Sequence, residues 1–350
     1  MKILYALPAT GNGHISRAIE LYPHLLKYGD VDMLVSGQNA HLRAPFPIKY
    51  RYKGISLFYN TRGGIDYAQM AKRTNMTETF KHINSLPVHY YDCIISDFEP
   101  ISAWACHKRN KTCLQWGHQA SFHYNETPRP KNKKTSGELI LKKYAPGHEY
   151  LGIHFLPYHS LIQTPVIDCS LFRTQRTLRT HIAIYLPHYT LQYLLPILSL
   201  YRQQTIHLFS NEVSNTAIHN HIHIHPISKT HFMQCMTDAS MVVTGAGFET
   251  PAEAMFLHKK LLCVPIQHQY EQACNAAALE SLGIKVVQKI NPDFPHILEE
   301  VMHTHVEYPF AANYHTAETH CAQAMQLWEK AHTTPTTKDI DFSLIDNMFC

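Results

Sequence analysis

Three short stretches carry residue types that could do chemistry. Gly11-Asn-Gly-His14 ends the first apolar run, Asp97-Phe-Glu-Pro100 follows another, and Gly245-Ala-Gly-Phe-Glu-Thr-Pro251 follows a third. An imidazole with a pKa near neutrality can take a proton from a hydroxyl, and His14 on a glycine-rich loop would project into a cleft to do so. A helix-start histidine bonded to backbone is the competing reading. Asp97 or Glu99 could supply a carboxylate to orient that imidazole or could bind a substrate directly, while Asp97 could equally be the N-cap of a helix beginning near Pro100. His118 and Gln119 end a further apolar run and would line the same cleft.

The segment from 242 to 283 is denser in such signals. Gly245 and Gly247 let backbone approach a ligand, Thr250 is expected as N-cap, and Pro251 suits a first helical turn. Unpaired N–H groups at a helix start favour anions, so the expected guest is a phosphate. Glu253 could hydrogen-bond a vicinal diol such as a ribose, or it could close a capping box with Thr250. Glu271, Gln272 and Asn275 would gather at the next helix start, beside the first. The loop at Gly11 is a poor nicotinamide site, because Ser16 stands where a third glycine is needed and strand two ends in Val-Ser-Gly-Gln without an acidic residue.

Elements that hold such loops must alternate strand and helix. Short apolar runs at 2–7, 31–37, 48–55, 91–97, 111–117, 152–158 and 164–168 are separated by helical or loop material, and a second alternation runs through 181–187, 205–210, 221–227, 239–245 and 260–266. That pattern predicts an α/β protein with two doubly wound parallel sheets. A chain of 350 residues is long enough for two ordinary domains. The expected division is a first lobe over 1–170, a linker over 171–180, a second lobe over 181–308, a helix over 309–330 returning to the first lobe, and a loose tail over 331–350. Tyr314, Ala317, Cys321, Ala324, Met325 and Trp328 mark one apolar face of that last helix.

Composition narrows the class. Apolar residues are 45% of the chain and charged residues 17%, which is ample for packed cores and argues against general disorder. The net charge of +4 is mild, so nucleic acid is not implied. Nine cysteines without a C-x-x-C pair fit a reducing compartment, and the cytoplasm is the expected location. The opening Met-Lys-Ile-Leu-Tyr-Ala-Leu-Pro-Ala reads as a buried strand rather than a signal peptide. Lys131, Lys133, Lys134, Lys142 and Lys143 flank Leu139, Ile140 and Leu141, a pattern that would suit peripheral docking of 131–143 on anionic lipid, or a plain surface loop. His219, His221, His223 and His225 alternate as on one strand face, but four imidazoles in a flat row do not converge on a tetrahedral ion, so no metal is expected there.

Taken together, the run from Gly245 to Asn275 resembles the donor-binding half of GT-B glycosyltransferases, above all family 28. The pairing of Gly11-Asn-Gly-His14 with Asp97-Phe-Glu-Pro100 resembles a little-characterised group within it. The resemblance implies two Rossmann-like lobes with a cleft between them and a nucleoside-diphosphate-sugar donor as substrate, with no separate cofactor. It implies that Glu253 binds the ribose and that Glu271 and Gln272, with Asn275, hold sugar hydroxyls. Gly245, Ala246, Gly247, Phe248 and Thr250 would face the diphosphate. His14, oriented by Asp97, would be the base in an inverting transfer to a glycan, lipid-linked or small-molecule acceptor lined by Gly11, Gly13, Glu99, His118 and Gln119. Uracil is the expected base, by analogy, against Ile227 and Phe232. The family's glycine-rich turn after the first strand of the second lobe is replaced here by Pro187-His188-Tyr189. No D-x-D motif is placed to hold a cation, since Asp30 and Asp32 lie at the wrong end of strand two. A sugar-nucleotide 2-epimerase, or a non-catalytic binder of the same ligand, would share the fold.

Overall fold

A computed structural model describes residues 1–10, 12–37, 44–54, 75–173 and 180–333. Gly11, the stretch 174–179 of the expected linker and the tail from 334 onward lie outside the described residues. The first sheet contains β1 (Lys2–Pro8), β2 (Asp30–Ser36), β3 (Ile48–Tyr52), β4 (Cys93–Ser96), β5 (Leu114–Gly117), β6 (Glu149–Ile153) and β7 (Ile162–Gln163). Their order is β3-β2-β1-β4-β5-β6-β7, and every neighbouring pair is parallel. In β1 the side chains from Ile3 to Leu7 are all fully buried, as expected of a central parallel strand covered by helices on both faces. Those covers include α1 (Asn12–Leu25), α2 (Met76–Ser85), α3 (Pro100–Lys108) and α4 (Thr135–Lys143). Helix α1 buries Ile15, Ala18, Leu21 and Leu25 along one face, with Pro23 confined to its last turn.

The second sheet repeats the plan. It contains β8 (His181–Tyr185), β9 (Thr205–Ser210), β10 (Ala217–His219), β11 (Ile222–Pro226), β12 (Met241–Thr244), β13 (Lys260–Cys263) and β14 (Lys285–Val286), ordered β10-β11-β9-β8-β12-β13-β14. Its helices are α5 (Leu191–Leu198), α6 (Lys229–Asp238), α7 (Glu249–Phe256), α8 (Tyr270–Ser281) and α9 (Phe294–Met302). In the first sheet β1 sits beside β4 and in the second β8 sits beside β12, which opens a crevice at the carboxyl ends of the strands. The last helix, α10 (Ala317–Thr333), returns to the first lobe. It buries Cys321, Ala324, Met325 and Trp328, donates from Cys321 Sγ to Leu21 O at 3.6 Å, and accepts from Gln163 Nε2 at Gln323 Oε1, 2.7 Å.

Three expectations change. The last strand of the first sheet is Ile162–Gln163 rather than 164–168, where Pro165 has no N–H to give a ladder. The histidine row is not one strand. Asn220 takes φ 55° and turns the chain, so His219 ends β10 while His223 and His225 lie on antiparallel β11. Part of the basic 131–143 stretch is also not free surface: Leu141 is buried with Phe122 and Cys274, while Leu139 and Ile140 remain exposed. No helix among the described residues is long and apolar enough to cross a membrane.

Gly152 on β6 shows how tightly the first sheet is covered. A Cβ there would lie 2.6 Å from Ser121 Cα and 2.9 Å from Ser121 N, which are backbone atoms that cannot rotate away. Gly152→Ala is therefore expected to cost about 1–3 kcal/mol through overpacking, measured as a lower thermal midpoint. An unchanged midpoint would show that the 119–123 turn yields.

Candidate active site

The site begins where β1 and β4 end. After β1 the chain enters α1 within four residues, which places His14 in its first turn. After β4, Asp97 and Phe98 turn the chain, with Phe98 at φ 59°, and α3 starts at Pro100. The two acids of Asp97-Phe-Glu-Pro100 then divide their tasks. The Glu99 carboxylate accepts from Ile101 N at 3.0 Å and Ser102 N at 2.6 Å, so Glu99, and not Asp97, caps α3. Glu99 is fully buried, and its expected acceptor-side role is corrected: the side chain is consumed by the helix start.

Asp97 is left free to face α1. Its Oδ2 lies 2.9 Å from His14 Nδ1, and it accepts from Arg17 Nη2 at 2.8 Å on Oδ1 and 2.7 Å on Oδ2. Burial pushes the Asp97 carboxyl up, but the charges of Arg17 and His14 outweigh it and hold the acid below its usual range. Burial likewise opposes the charge on Arg17, and Asp97 and Glu249 more than restore it. Arg17 Nη1 donates to Glu249 Oε1 across the cleft. A carboxylate on Nδ1 fixes the imidazole so that Nε2 is the nitrogen left for chemistry. Two glycines make this approach possible: a Cβ on Gly13 would sit 2.6 Å from Glu249 Oε2, and one on Gly117 would collide with Asp97 Oδ1.

Between the lobes is a cavity of about 760 Å³. From the first lobe, Gly13, His14, Arg17, His118 and Gln119 line it, and from the second Gly245, Gly247, Phe248, Thr250, Glu253, Glu271 and Gln272 do. Ile227 and Phe232 line it as well. Several expected roles nonetheless change. Helix α7 starts at Glu249 with Phe248 as its N-cap position and no side-chain cap, so Thr250 lies inside the helix and the Thr250–Glu253 capping box does not form. Ala246 and Asn275 are fully buried and stand behind the wall, with Asn275 Nδ2 donating to Ala246 O at 3.1 Å. Asn275 Oδ1 is 2.8 Å from His118 Nε2, and His118 Nδ1 is 3.0 Å from Ile153 O. With both nitrogens engaged and its ring stacked on Phe248 at 4.1 Å, His118 ties the lobes together. Burial pushes its pKa down to about 3. Gln119 Nε2 donates to Glu271 Oε2 at 3.0 Å, a second tie, and Gln272 Oε1 accepts from Ile266 N at 2.8 Å.

Four cavity residues escaped the sequence reading as site residues. Arg17 and Glu249 form the interlobe ion pair; an arginine on the apolar face of α1, one turn after His14, was the available signal. Lys229 reaches Asp168 at 2.9 Å. His188 stood out in sequence only as a departure from a glycine-rich turn. It lines the cavity at the carboxyl end of β8, with Cε1 3.6 Å from where a Cβ on Gly245 would lie. Its Nε2 is buried without a hydrogen-bond partner among the described residues, and burial pushes its pKa down to about 4.

Glu253 is 7% exposed. Burial pushes its carboxyl up to about 8, offset only in part by Lys229. Such a group binds more protons folded than unfolded between its unfolded pKa near 4.5 and its folded pKa near 8. Stability therefore falls as pH rises through that window. Glu253→Gln keeps the shape and removes the titration, so its advantage over wild type in unfolding free energy, measured by denaturation at each pH, is expected to grow from pH 5 to pH 8.5, reaching on the order of 2–4 kcal/mol. Parallel stability curves would show that Glu253 is not the group responsible.

Comparison with known proteins agrees with this geometry. No curated protein matches the chain. Among solved structures, glycosyltransferase VinC in complex with DTDP superposes with TM-score 0.55 at 12% identity, over 94% of this chain and 100% of that one. Arabidopsis thaliana UGT89C1 complexed with UDP superposes with TM-score 0.53 at 13% identity, over 99% and 98%. Acinetobacter baumannii MurG gives 0.50 at 13% identity, over 94% and 100%. The two sheets with their interlobe cavity thus have the GT-B architecture. Residues 1–302 match the profile of glycosyl transferase family 1, and the chain belongs to that family.

Proposed function

We propose that this protein transfers a sugar from a nucleoside-diphosphate sugar to an acceptor hydroxyl with inversion, without a metal ion on the phosphates, and that a uridine diphosphate sugar is the donor. The observation that carries the reading is His14, hydrogen-bonded through Nδ1 to a buried Asp97, in the wall of a cavity whose opposite side is the Gly245–Gly247 turn. His14 Nε2 takes the proton of the acceptor hydroxyl as its oxygen bonds to the anomeric carbon. The bond from that carbon to the diphosphate breaks, and its electron pair leaves with the diphosphate. Asp97 stabilises the imidazolium. The unpaired N–H groups at the start of α7 would meet the leaving charge. His188, in the tautomer with hydrogen on Nε2, would add the donor that a glycine-rich turn supplies elsewhere.

The donor half follows the family-28 pattern in Glu253, Glu271 and Gln272, which would meet the ribose and the sugar hydroxyls. UDP in UGT89C1 and DTDP in VinC support a nucleoside diphosphate in the same cleft. A second reading has its own observation. Glu249, Glu253 and Glu271 all line the cavity, and a sugar-nucleotide 2-epimerase needs such extra carboxylates near the anomeric centre.

Incubation with a panel of UDP-, GDP- and TDP-sugars separates these readings. Slow donor hydrolysis is the expected result, an altered sugar would favour the epimerase, and binding without turnover would remove the catalytic role. His14→Ala is expected to lower turnover about 10²- to 10⁴-fold while keeping the thermal shift given by donor. Glu253→Ala is expected to abolish that shift. A His14→Ala enzyme running at wild-type speed would remove the base assignment.

A further inference from the structure

The second sheet carries a cluster of histidines away from His14 and Asp97. Strands β9 and β11 are parallel neighbours, and the register pairs His223 with His207, so both side chains leave the same face. His225 follows His223 by two residues and shares that face. The ring of His207 lies 5.0 Å from that of His223 and 5.1 Å from that of His225. His207 Nδ1 is 2.9 Å from His225 Nε2. One nitrogen from each of the three rings can be chosen so that all lie within 4.8 Å of one another. The objection to a flat row of four imidazoles does not apply to this set, because one ring comes from the adjacent strand and the hairpin at Asn220 removes His219 and His221 from it.

We propose that His207, His223 and His225 form a binding site for one divalent transition-metal ion of the zinc class, with at least one coordination position left for water. Three imidazoles on a tetrahedral ion hold their nitrogens about 3.4 Å apart, as metal–nitrogen bonds near 2.0–2.1 Å require. The 2.9 Å pair already falls inside that separation, and small side-chain rotations would bring the third ring in. The surroundings provide an outer support. Thr216 Oγ1 lies 3.2 Å from His225 Nδ1, which leaves Nε2 as the liganding atom, the arrangement by which second partners orient metal-bound histidines. His181 does not belong to this group of converging nitrogens; its Nε2 lies 3.0 Å from Cys235 O. The other close group of metal-binding residue types, Glu20 with Asp168 and Cys169, already holds Lys229.

The site would act on the cavity from behind. The His225 ring is 5.1 Å from Phe209, and Phe209 packs edge-on against Phe232 at 5.1 Å, and both phenylalanines line the cavity. An ion bridging β9 and β11 would stiffen that wall without touching the reacting atoms. The inference does not rest on the transfer reaction.

The test uses the full chain, stripped with EDTA and titrated with cobalt(II) chloride, reading ligand-field absorption, then displaced with zinc chloride. Saturation at one ion per chain, with the intensity of a four- or five-coordinate centre, is expected. His223 is only half-buried, so His223→Gln should fold normally and is expected to weaken binding at least about 100-fold, with Thr216→Val weakening it about 10-fold. His219→Gln and His221→Gln are expected to leave it unchanged. Absence of a saturable signal, or binding that His223→Gln leaves intact, would assign the ions to scattered surface histidines and overturn the site.

Discussion

A buried guanidinium shared by two carboxylates from opposite lobes is the interaction on which the site depends. Arg17 is 3% exposed and Asp97 fully buried, and removing charges from water costs several kcal/mol per ion unless they are paired with good geometry. Here the fork of Arg17 engages both oxygens of Asp97 and still reaches Glu249 on α7. The same Asp97 orients His14. The position of the proposed base is thereby tied to the closure of the second lobe on the first, because neither lobe alone completes the pairing of Arg17. Gly13 and Gly117 are the space this requires.

Around that centre, further polar contacts cross the cleft. His118 with Asn275, Gln119 with Glu271, and Tyr270 with Glu138 at 2.8 Å each join groups of opposite lobes. Helix α4 can lie against α8 because Gly137 faces the Tyr270 ring with no room for a Cβ.

The cleft is also crowded with acids, an unexpected neighbourhood for an anionic ligand. Glu20, Asp168, Glu249 and Glu253 converge, with Lys229 between them. Coulomb repulsion at these separations is large in a low-dielectric setting. The molecule relieves it in two ways. Lys229 and Arg17 pair with Asp168 and Glu249, and Glu253 is held largely protonated at neutral pH by its burial. A protonated Glu253 can donate as well as accept, which suits contact with a hydroxyl.

Local chemistry was written plainly in the sequence. The strand and helix alternation, the apolar face of α10, and the glycines at 245 and 247 all depend on periodicity and backbone freedom, which belong to short segments. The grouping of His14 with an acid from Asp97-Phe-Glu-Pro100, 83 residues away, was legible only through the family resemblance. What the sequence left open was which acid does what, because either carboxylate could orient His14 and Asp97 could equally have capped the helix. The left-handed turn at Phe98 decided it by aiming one at the helix and the other at His14. The cavity role of Asn275 failed because it depended on where His118 and Ala246, distant in sequence, came to lie, whereas the capping box at Thr250 and the single histidine strand failed locally, at the helix start at Glu249 and the turn at Asn220. Residue types and their spacing thus determined the elements and the menu of possible chemistry. Only tertiary packing, which sets burial and charge pairing across the two lobes, decided that Arg17, Glu249 and His188 stand in the cleft and that Glu253 keeps its proton.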